Sequence, residues 1–403
     1  MKILYIHQYF RTPQEPGGTR SYWFSRELLR RGHKVVMVTG TSVYHPEQSR
    51  ECVDGIEVVY VKSDYSNYFS PLRRVCSFVK FIWLAMRVAM RESGVDIVYA
   101  TSTPLTIGAI ALILRRLKGW RYIFEVRDLW PEFPIQMGVI RNRLLIKILR
   151  GFERRIYERS ECVVALSEGM RDGVIAAGTS EERVVTIPNM SKPNEFFPRE
   201  VSREVANRFN IDTTKFNIIH FGAMGVANGL EYVVRSAKVL MDRGVRDVSF
   251  LLLGDGAARP KLQQFVDEHR LDNVLFLGEH KMAVVSEVVN CCDLSVTSFL
   301  DLPILYTNSP NKLFDSLSAG IPIVVNSAGW TKDLVESCVC GFYVDPRDPE
   351  DFADKIMAVK ADRELLRSWG ESSRRLALSR FDREILSKKM VDVVEACFEK
   401  MER

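Results

Sequence analysis

The chain has 403 residues, enough for two domains of ordinary size, and its 46% hydrophobic and 27% charged residues are typical of a soluble globular protein rather than a disordered one. No signal peptide is recognisable, no apolar run is long enough to span a membrane, and the eight cysteines form no paired C-x-x-C, so we expect neither a membrane span, nor a zinc site, nor a disulfide framework. The net charge of +5 is uneven, because residues 1–190 carry +9 and residues 191–403 carry −4. This asymmetry predicts that the two halves face different partners, or that one of them faces an anionic surface.

In chain order, strand-like and helix-like runs alternate from the first residues onward. The first half opens with a strand-like run at 2–10, a glycine-containing loop and an amphipathic helix at 19–32. The second half repeats this plan with a strand and loop at 216–229 and a helix at 230–244. Near-continuous apolar strands are typical of parallel sheets that are covered on both faces. The sequence therefore predicts two doubly wound α/β domains.

Composition places the domain boundary in a segment rich in proline and asparagine that begins near residue 188. We expect an N-terminal Rossmann-like domain at 1–195, a second at 205–380, and a final helix at 381–403 that packs back on the first domain. Ligands of such sheets bind outside the carboxyl ends of the strands. The functional residues should therefore lie in the loops that follow the strands.

Two glycine-containing loops each join a strand to a helix. Gly17 and Gly18 precede the first helix, whose first-turn amides lack an intrahelical partner, so an anionic group can approach the backbone there. Gly222 and Gly225, followed by Asn228, form the corresponding loop of the second half. Tight turning alone is the alternative interpretation of both loops.

The run Ser309–Val325 predicts a short helix and a buried strand, with Ser309 as the cap and Pro310 at the first helical position. Lys312 then lies one turn into the helix, where its charge opposes the helix dipole unless an anion binds at the helix end. Asp315 lies three residues on, on the same side, where it can accept hydrogen bonds from two ribose hydroxyls. These residues predict a diphosphate and ribose site, and an i,i+3 salt pair is the alternative.

A second unusual run, Phe124–Pro134, ends a predicted strand with Arg127, Asp128 and Glu132 beside Trp130. Charges next to an aromatic ring at a strand end suit the binding of a polar, ring-shaped substrate. The alternative is a helix start in which Asp128 is the cap and Trp130 lies in the core.

Two basic amphipathic stretches occupy residues 70–91 and 141–159. Residues 70–160 contain 17 basic and 7 acidic side chains, and apolar stripes with a basic rim suit docking at an anionic bilayer surface. The alternative is a pair of helices that pack on a sheet with solvated arginines. No nucleic-acid recognition motif accompanies the charge, so we expect no nucleic acid partner.

Together, these motifs resemble retaining glycosyltransferases of family 4, and the resemblance covers essentially the whole chain. It implies the GT-B architecture, in which two facing Rossmann-like domains enclose an interdomain cleft. Two of the motifs, "FEVRDLWPE" and "PNKLFD", resemble the branch that builds bacterial surface polysaccharide, including the L-fucosamine (N-acetylfucosamine) transferases of O-antigen synthesis. The other motifs that carry the resemblance are the early "GG", "RGHKVVMVTG", "LLLGDG", "VLFLGEH" and "SPNKLFDSLSAGIPIVV".

The resemblance implies that a sugar moves from a UDP-activated donor to a polyprenyl-diphosphate-linked saccharide at the cytoplasmic face of the inner membrane, without a cofactor or metal. Asp315 matches the family's ribose-binding glutamate, and the glutamate eight positions earlier is replaced by Thr307. Asn228 stands where the family has a phosphate-binding lysine, so Lys312 is expected to supply that charge. The further donor-side residues are Gly278, Glu279, His280, Asn308, Pro310, Asn311 and Leu313.

In the mechanism that the resemblance implies, an oxygen of the leaving diphosphate accepts the proton of the acceptor hydroxyl on the same face. The protein then stabilises charge through Lys312 and the glycine loops, and orients the acceptor through Arg127, Asp128 and Glu132. Two alternatives are a UDP-sugar 2-epimerase of the same architecture and a sugar-nucleotide-binding regulator without turnover.

Overall fold

The computed structural model of the protein describes residues 1–15, 17–43, 49–64 and 69–402. The chain forms two compact units. The first contains Met1–Pro188 together with Glu384–Arg403, and the second contains Asn189–Arg383. Each unit is an α/β structure built around one twisted sheet, as the alternation of strand-like and helix-like runs predicts.

The first unit is built on a single sheet whose central strand is the first strand of the chain. Its strands are β1 (Lys2–Ile6), β2 (Lys34–Thr41), β3 (Arg50–Val53), β4 (Ile56–Lys62), β5 (Ile97–Thr101), β6 (Tyr122–Val126), β7 (Cys162–Ala165) and β8 (Val184–Thr186). They lie in the order β3-β4-β2-β1-β5-β6-β7-β8. The apolar residues of β1 are buried on both faces of the sheet, which explains the near-continuous apolar sequence of this strand.

One edge of this sheet departs from the predicted parallel arrangement, because β3 pairs with β4 in the antiparallel direction. Asp54 and Gly55 form the two-residue connection and have positive φ angles of 49° and 86°. Asp-Gly is a preferred pair for such a hairpin turn because both central residues need φ above zero. The hairpin thus adds one antiparallel edge strand to a sheet whose other described pairings are parallel, as the doubly wound prediction requires.

Helices cover the sheet of the first unit. They are α1 (Arg20–Arg30), α2 (Pro71–Arg91), α3 (Ile107–Lys118), α4 (Glu132–Gln136), α5 (Arg143–Arg159), α6 (Glu168–Ala176) and, from the end of the chain, α15 (Arg383–Glu402). The side chains of Ser70, Asn142 and Ser167 accept hydrogen bonds from first-turn amides and so cap α2, α5 and α6.

The final helix, α15, contacts the first unit, the domain against which the sequence predicts it to pack. Arg31 forms ion pairs with Asp392 and Glu395, at 2.5 and 2.8 Å. Lys389 donates a hydrogen bond to the Thr186 carbonyl at 2.9 Å. The helix is thereby tied to both α1 and β8.

The second unit contains a wholly parallel sheet in the described part of the chain. Its strands are β9 (Phe216–Phe221), β10 (Val248–Leu253), β11 (Val274–Gly278), β12 (Leu294–Thr297), β13 (Ile323–Val325) and β14 (Gly341–Tyr343). They lie in the order β11-β10-β9-β12-β13-β14, so the direction of strand succession reverses beside β9. Ligands of doubly wound sheets bind at such a reversal, outside the carboxyl ends of the strands.

The helices of the second unit pack on both faces of its sheet. They are α7 (Arg203–Arg208), α8 (Glu231–Asp242), α9 (Arg259–His269), α10 (Met282–Val289), α11 (Asn311–Ala319), α12 (Trp330–Ser337), α13 (Pro349–Val359) and α14 (Arg363–Arg380). Two separate clusters of buried apolar side chains, one on each face, form the core. Gly320 ends α11 in the left-handed conformation with φ 69°, as predicted.

The residues just after Pro188 belong to the second unit, because their polar groups bond to α11 and α14. The Asn189 amide donates to Ser309 Oγ, and the Lys192 amide donates to Ser318 Oγ. Arg374 of α14 donates to the Phe196 carbonyl. The predicted first domain extends to residue 195, whereas the contacts of residues 189–195 lie within the second unit.

Candidate functional site

In the second unit, two glycine-containing loops at the strand ends are joined backbone to backbone. The Gly222 amide donates to the Leu253 carbonyl at 2.9 Å, and the Met224 amide donates to the Asp255 carbonyl at 2.8 Å. A Cβ atom at Gly254 would lie 1.9 Å from the Gly222 carbonyl oxygen. Glycine is therefore required at residue 254 for this close approach. The two loops lie side by side at the ends of β9 and β10.

Lys312, in the first turn of α11, extends over these paired loops. A Cβ atom at Gly222 would lie 3.7 Å from Lys312 Cε, so the lysine stem passes directly above that glycine. Its ammonium donates to Asn228 Oδ1 at 3.0 Å and lies 3.5 Å from His220 Nε2. No carboxylate of the described residues pairs with this ammonium. The group is thus a cation whose protein partners are neutral.

Burial sets the protonation of this cluster. It lowers the pKa of Lys312 to about 7. The pKa of His220, at the end of β9, is held well below its ordinary value, first by burial and then by the charge of Lys312. Because His220 is neutral, its Nε2 can accept from the ammonium but carries no negative charge to balance it.

Asp315, one turn deeper in α11, pairs with Lys192 from the segment that opens the second unit. Lys192 Nζ lies 3.2 Å from both carboxylate oxygens but donates an aligned hydrogen bond only to Oδ2. Oδ1 is buried and has no hydrogen-bond partner among the described residues. Burial raises the pKa of Asp315, and the Lys192 charge opposes this shift. Lys192 therefore holds the carboxylate in place, and Oδ1 accepts no aligned hydrogen bond from the described residues.

The start of α11 differs from the prediction in one respect. Ser309 does not cap the helix, because its Oγ accepts from the Asn189 amide and Pro310 occupies the cap position. The helix begins at Asn311, so Lys312 is its second residue. The amides of Asn311 and Lys312 precede the first intrahelical acceptor and so point outward from the helix end.

Three other predicted donor-side residues are already engaged within the protein. Leu313 is 0% exposed and its amide donates to the Pro310 carbonyl, so a donor contact at this residue stays a prediction. The Asn308 carbonyl accepts from the Trp330 indole at 2.7 Å. Asn228 donates to the Ala223 carbonyl at 2.9 Å, which folds the loop of Gly222 and Gly225 around it.

The predicted residues Gly278, Glu279 and His280 lie at the end of β11, the edge strand of the sheet. The Gly278 carbonyl accepts from the Gly254 amide at 2.7 Å, which links this loop to the paired glycine loops. The His280 ring contacts the Leu277 carbonyl through Nε2 at 2.8 Å and meets Phe209 edge-on. The loop therefore continues the same strand-end surface.

In the first unit, a second polar cluster lies where β1, β5 and β6 end. His7 directly follows β1 and contacts Arg127 through Nε2 at 3.0 Å and Ser21 through Nδ1 at 2.8 Å. Asp128 accepts from Thr103 Oγ1 at 2.8 Å. Burial raises the pKa of Asp128, and the hydrogen bond from Thr103 and the charge of Arg127 oppose this shift. Arg127 and Asp128 thus both lie in this polar cluster.

Glu132 does not join this cluster. It opens α4, and its Oε1 forms an ion pair with Arg150 of α5 at 2.7 Å. The prediction that Glu132 contacts the acceptor is therefore not favoured by its position, because its charge is already paired on the surface. Asp128 also does not cap α4, since Pro131 occupies that position.

Gly17 and Gly18 lie immediately before α1, and Gly17 has a φ of 126° that only glycine adopts readily. Within the described part of the chain, no side chain caps this helix. Arg20, its first residue, donates to Glu125 Oε2 at 3.0 Å and to the Ile187 carbonyl at 2.7 Å. The buried Arg20 thereby ties the start of α1 to β6 and to Ile187, which directly follows β8.

The two basic stretches form α2 and α5, and both expose apolar side chains. Val75, Val79 and Trp83, spaced four apart on one face of α2, are 55%, 59% and 58% exposed. On α5, Leu144 and Ile148 are exposed by similar fractions. A helix that only packed on the sheet would bury such a stripe, whereas these side chains are exposed to solvent. The Arg87 guanidinium lies over the Trp83 ring, 4.6 Å from its centroid.

Three residues of these clusters were not identified from the sequence. His7 and His220 each interrupt an apolar strand end, which is a signal that the sequence contains. Lys192 lies in the aperiodic segment after Pro188, where no pattern marks it. Among the described residues, no group of three or more His, Cys, Asp or Glu side chains could hold a metal ion. In the same part of the chain, no helix is long and apolar enough to cross a membrane.

Comparison with known proteins matches each unit to a glycosyltransferase domain. Residues 17–190 match the family described as "Glycosyl transferase 4-like domain", and residues 215–362 match "Glycosyl transferases group 1". The probable glycosyltransferase WbjE of Pseudomonas aeruginosa is 21% identical over 312 residues, which cover 76% of this chain and 75% of that protein.

Solved structures share the fold over almost the whole chain. The sucrose-phosphate synthase of Thermosynechococcus elongatus has a TM-score of 0.80 at 17% identity and covers 99% of both chains. Anabaena HepE, solved in complex with UDP and glucose, has a TM-score of 0.71 at 19% identity, covering 98% of this chain and 99% of that one. With one glycosyltransferase domain in each unit and this shared fold, the chain is a glycosyltransferase of the GT-B type.

Proposed function

We propose that the protein is a retaining, metal-independent glycosyltransferase that moves a sugar from a UDP-activated donor to a lipid-linked saccharide. The observation that carries this proposal is the Lys312 ammonium, which has neutral protein partners and lies beside the free first-turn amides of α11. A partly buried cation without a carboxylate partner is costly unless an anion binds to it. The diphosphate of a sugar nucleotide supplies that anion.

In this proposal the donor binds at the second unit, and the charged groups at the strand ends of that unit support it. Lys312 and the helix amides would bind the diphosphate, and the free Oδ1 of Asp315 would accept from the ribose hydroxyls. The loop of Gly278, Glu279 and His280 continues the surface and would contact the base. The solved complexes of HepE with UDP and glucose support a uridine nucleotide as the donor carrier.

The chemistry that we propose needs charge stabilisation more than protein acids and bases. As the bond from the sugar to the diphosphate breaks, negative charge develops on the leaving oxygen, and Lys312 with the helix amides would stabilise it. That oxygen would take the proton of the acceptor hydroxyl, which attacks from the same face, so the anomeric configuration is retained. Arg127 and Asp128 would orient the acceptor.

The acceptor that we propose is a saccharide linked to a polyprenyl diphosphate in an anionic bilayer. The support is the exposed apolar stripe of Val75, Val79 and Trp83 on α2, together with the +10 net charge of residues 70–160. Apolar side chains with a basic rim bind anionic interfaces by partial insertion and by Coulomb attraction. The protein would then associate peripherally with the cytoplasmic face of the inner membrane.

The sugar that we propose is an N-acetylated 6-deoxyhexosamine such as N-acetyl-L-fucosamine, used in O-antigen, capsule or exopolysaccharide synthesis. The support is the pair of motifs "FEVRDLWPE" and "PNKLFD", which resemble that branch of transferases. In this structure, their charged residues Arg127, Asp128, Lys312 and Asp315 form the two polar clusters.

The test is a thermal-shift screen of UDP-, GDP- and dTDP-sugars, followed by incubation of the best ligand with membranes from cells that lack the gene. We expect UDP-sugars to raise the Tm, because they bind only the folded state, and UDP to be released only when membranes are present. Conversion of the sugar without membranes would support the epimerase instead. Tight binding without turnover in either condition would support a regulator.

A further inference from the structure

We infer that His7 is a positioning residue that holds the Arg127 guanidinium in one orientation, through a hydrogen-bonded relay that begins at Ser21 of α1. The inference rests on the proposed function, in which Arg127 orients the acceptor. It assigns a role to a residue that neither the sequence motifs nor the comparisons single out.

The relay connects three elements of the first unit at their functional ends. His7 is 1% exposed, and its ring lies between Ser21 Oγ at 2.8 Å from Nδ1 and Arg127 Nη1 at 3.0 Å from Nε2. Ser21 is the second residue of α1, which starts directly after the loop of Gly17 and Gly18. The ring therefore links α1, the helix that follows the loop of Gly17 and Gly18, to Arg127 at the end of β6.

The chemistry of the two partners fixes the proton on the ring. A guanidinium only donates hydrogen bonds, so Nε2 must be the unprotonated, accepting nitrogen. The imidazole is then neutral with its proton on Nδ1, and this N–H donates to Ser21 Oγ. Burial and the charges of Arg127 and Arg11 hold the pKa of His7 well below its ordinary value, in agreement with a neutral ring.

Arg127 is held at both ends by this arrangement. Its backbone amide donates to Ser102 Oγ at 3.0 Å, and its guanidinium donates to His7. The side chain remains partly exposed, and one of its five N–H groups is used by the ring. The other donors keep a fixed direction from which a saccharide hydroxyl can be bound.

The alternative is that His7 only packs in the protein core at the end of β1. Ser25 provides a matched control, because it lies one turn further along α1, is 0% exposed, and donates to the Ser21 carbonyl rather than to His7. If His7 only packs, Ser21→Ala and Ser25→Ala should change the reaction rate equally. If the relay exists, only Ser21→Ala should disturb the orientation of Arg127 and slow the reaction.

The first test measures the ring itself and does not depend on the proposed function. In the full-length protein with ¹⁵N-labelled histidine, two-bond ¹H–¹⁵N correlation spectra assign the tautomer of His7. We expect a neutral ring protonated on Nδ1 at pH 7, and a shift of the Nε2 resonance in Arg127→Ala but not in Arg121→Ala. An Nε2-protonated tautomer or an imidazolium would overturn the inference.

The second test is a double-mutant cycle on UDP release from a UDP-sugar in the presence of membranes. We expect His7→Leu to slow release about 10- to 100-fold, as small misplacements of orienting groups do, and His7→Gln to recover part of the rate through its side-chain oxygen. In the Arg127→Ala background, His7→Leu should change the rate less than about 2-fold, because coupled residues are not additive.

The outcomes separate the two proposals. If His7→Leu costs the same with and without Arg127, the positioning role is wrong and the histidine is structural. If Arg127→Ala alone leaves the rate unchanged, the proposed role of Arg127 fails, and the spectra still decide whether the relay exists. If His7→Leu does not fold, Ser21→Ala against Ser25→Ala gives the same comparison, with a slower rate expected for Ser21→Ala only.

Discussion

Each unit has a buried histidine at the end of its first strand, and in both units this histidine contacts a cationic side chain. In the first unit, His7 contacts Arg127, and in the second, His220 contacts Lys312. The cations differ in kind, because a guanidinium is a planar fork that stays charged, whereas an ammonium is a point charge that burial can neutralise. The first cluster therefore suits directional binding of hydroxyls, and the second suits a proton-linked response to a diphosphate.

The carboxylates of the two clusters, Asp128 and Asp315, also differ in the groups that hold them. Asp128 is held by a neutral hydroxyl, that of Thr103, whereas Asp315 is held by the charge of Lys192. A buried ion pair fixes a carboxylate in its ionised form, which is the form that accepts from ribose hydroxyls.

Asp315→Asn should weaken UDP binding about 100-fold, because charge-assisted hydrogen bonds to two ribose hydroxyls are lost. It should also remove the preference for UDP over 2′-deoxyuridine diphosphate. The free energy of unfolding should fall by about 3 kcal/mol, since Lys192 loses its buried partner. Calorimetry and urea unfolding measure these quantities.

The matched control is Asp354→Asn, an exposed carboxylate of the same unit. It should leave UDP affinity unchanged. Wild-type affinity in Asp315→Asn would remove the ribose role and leave its pair with Lys192 as a structural feature.

Lys312→Met should weaken UDP-sugar binding by roughly 30-fold, in the range expected for one charged hydrogen bond to phosphate. The same change should raise the Tm of the free protein at pH 7 by about 3 °C, because an ammonium whose pKa is lowered by burial destabilises the folded state there. Titration calorimetry and thermal unfolding measure the two effects. Loss of affinity together with loss of stability would indicate a general structural role instead.

The affinity for a UDP-sugar should fall about 5- to 6-fold between pH 7 and pH 8. The pKa of Lys312 is lowered to about 7 in the free protein, so above that pH the neutral amine must take up a proton before it binds the diphosphate. Lys312→Arg, which stays charged, should show a flat profile over this range. A pH dependence that is the same in both proteins would assign the titration to another group.

Binding to vesicles of anionic phospholipid should fall about 5-fold in Trp83→Ala, because an exposed aromatic side chain of α2 no longer inserts. Binding of the wild type should weaken as salt is raised, since the basic rim is screened. Cosedimentation measures both effects. Val226→Ala, an exposed valine of the second unit, should bind as the wild type does, and salt-independent binding would contradict the electrostatic contribution.

Local patterns predicted most of the fold, because apolar periodicity and glycine positions determine strands and helix ends directly. The short helix ending at Gly320 and the strand Ile323–Val325 follow the predicted plan. The β3–β4 hairpin was missed although "VDGI" contains a hairpin turn signal. Ser309 was mistaken for a cap, since its partner Asn189 is 120 positions away and no local pattern shows such a contact.

The candidate sites were predicted where charge stands out against an apolar background. Lys312 and Asp315 lie in a helix that is otherwise largely apolar on its inner face, and Arg127 and Asp128 end a buried strand. Their partners were not predictable in the same way. Lys192 and His7 become functional candidates only through contacts that folding creates between distant segments.

A crystal structure of the protein with a bound UDP-sugar would show where the diphosphate lies. We predict the diphosphate at the start of α11, with an oxygen within hydrogen-bond distance of Lys312 Nζ and the ribose against Asp315. A diphosphate bound elsewhere, with Lys312 still paired only to Asn228 and His220, would contradict the account.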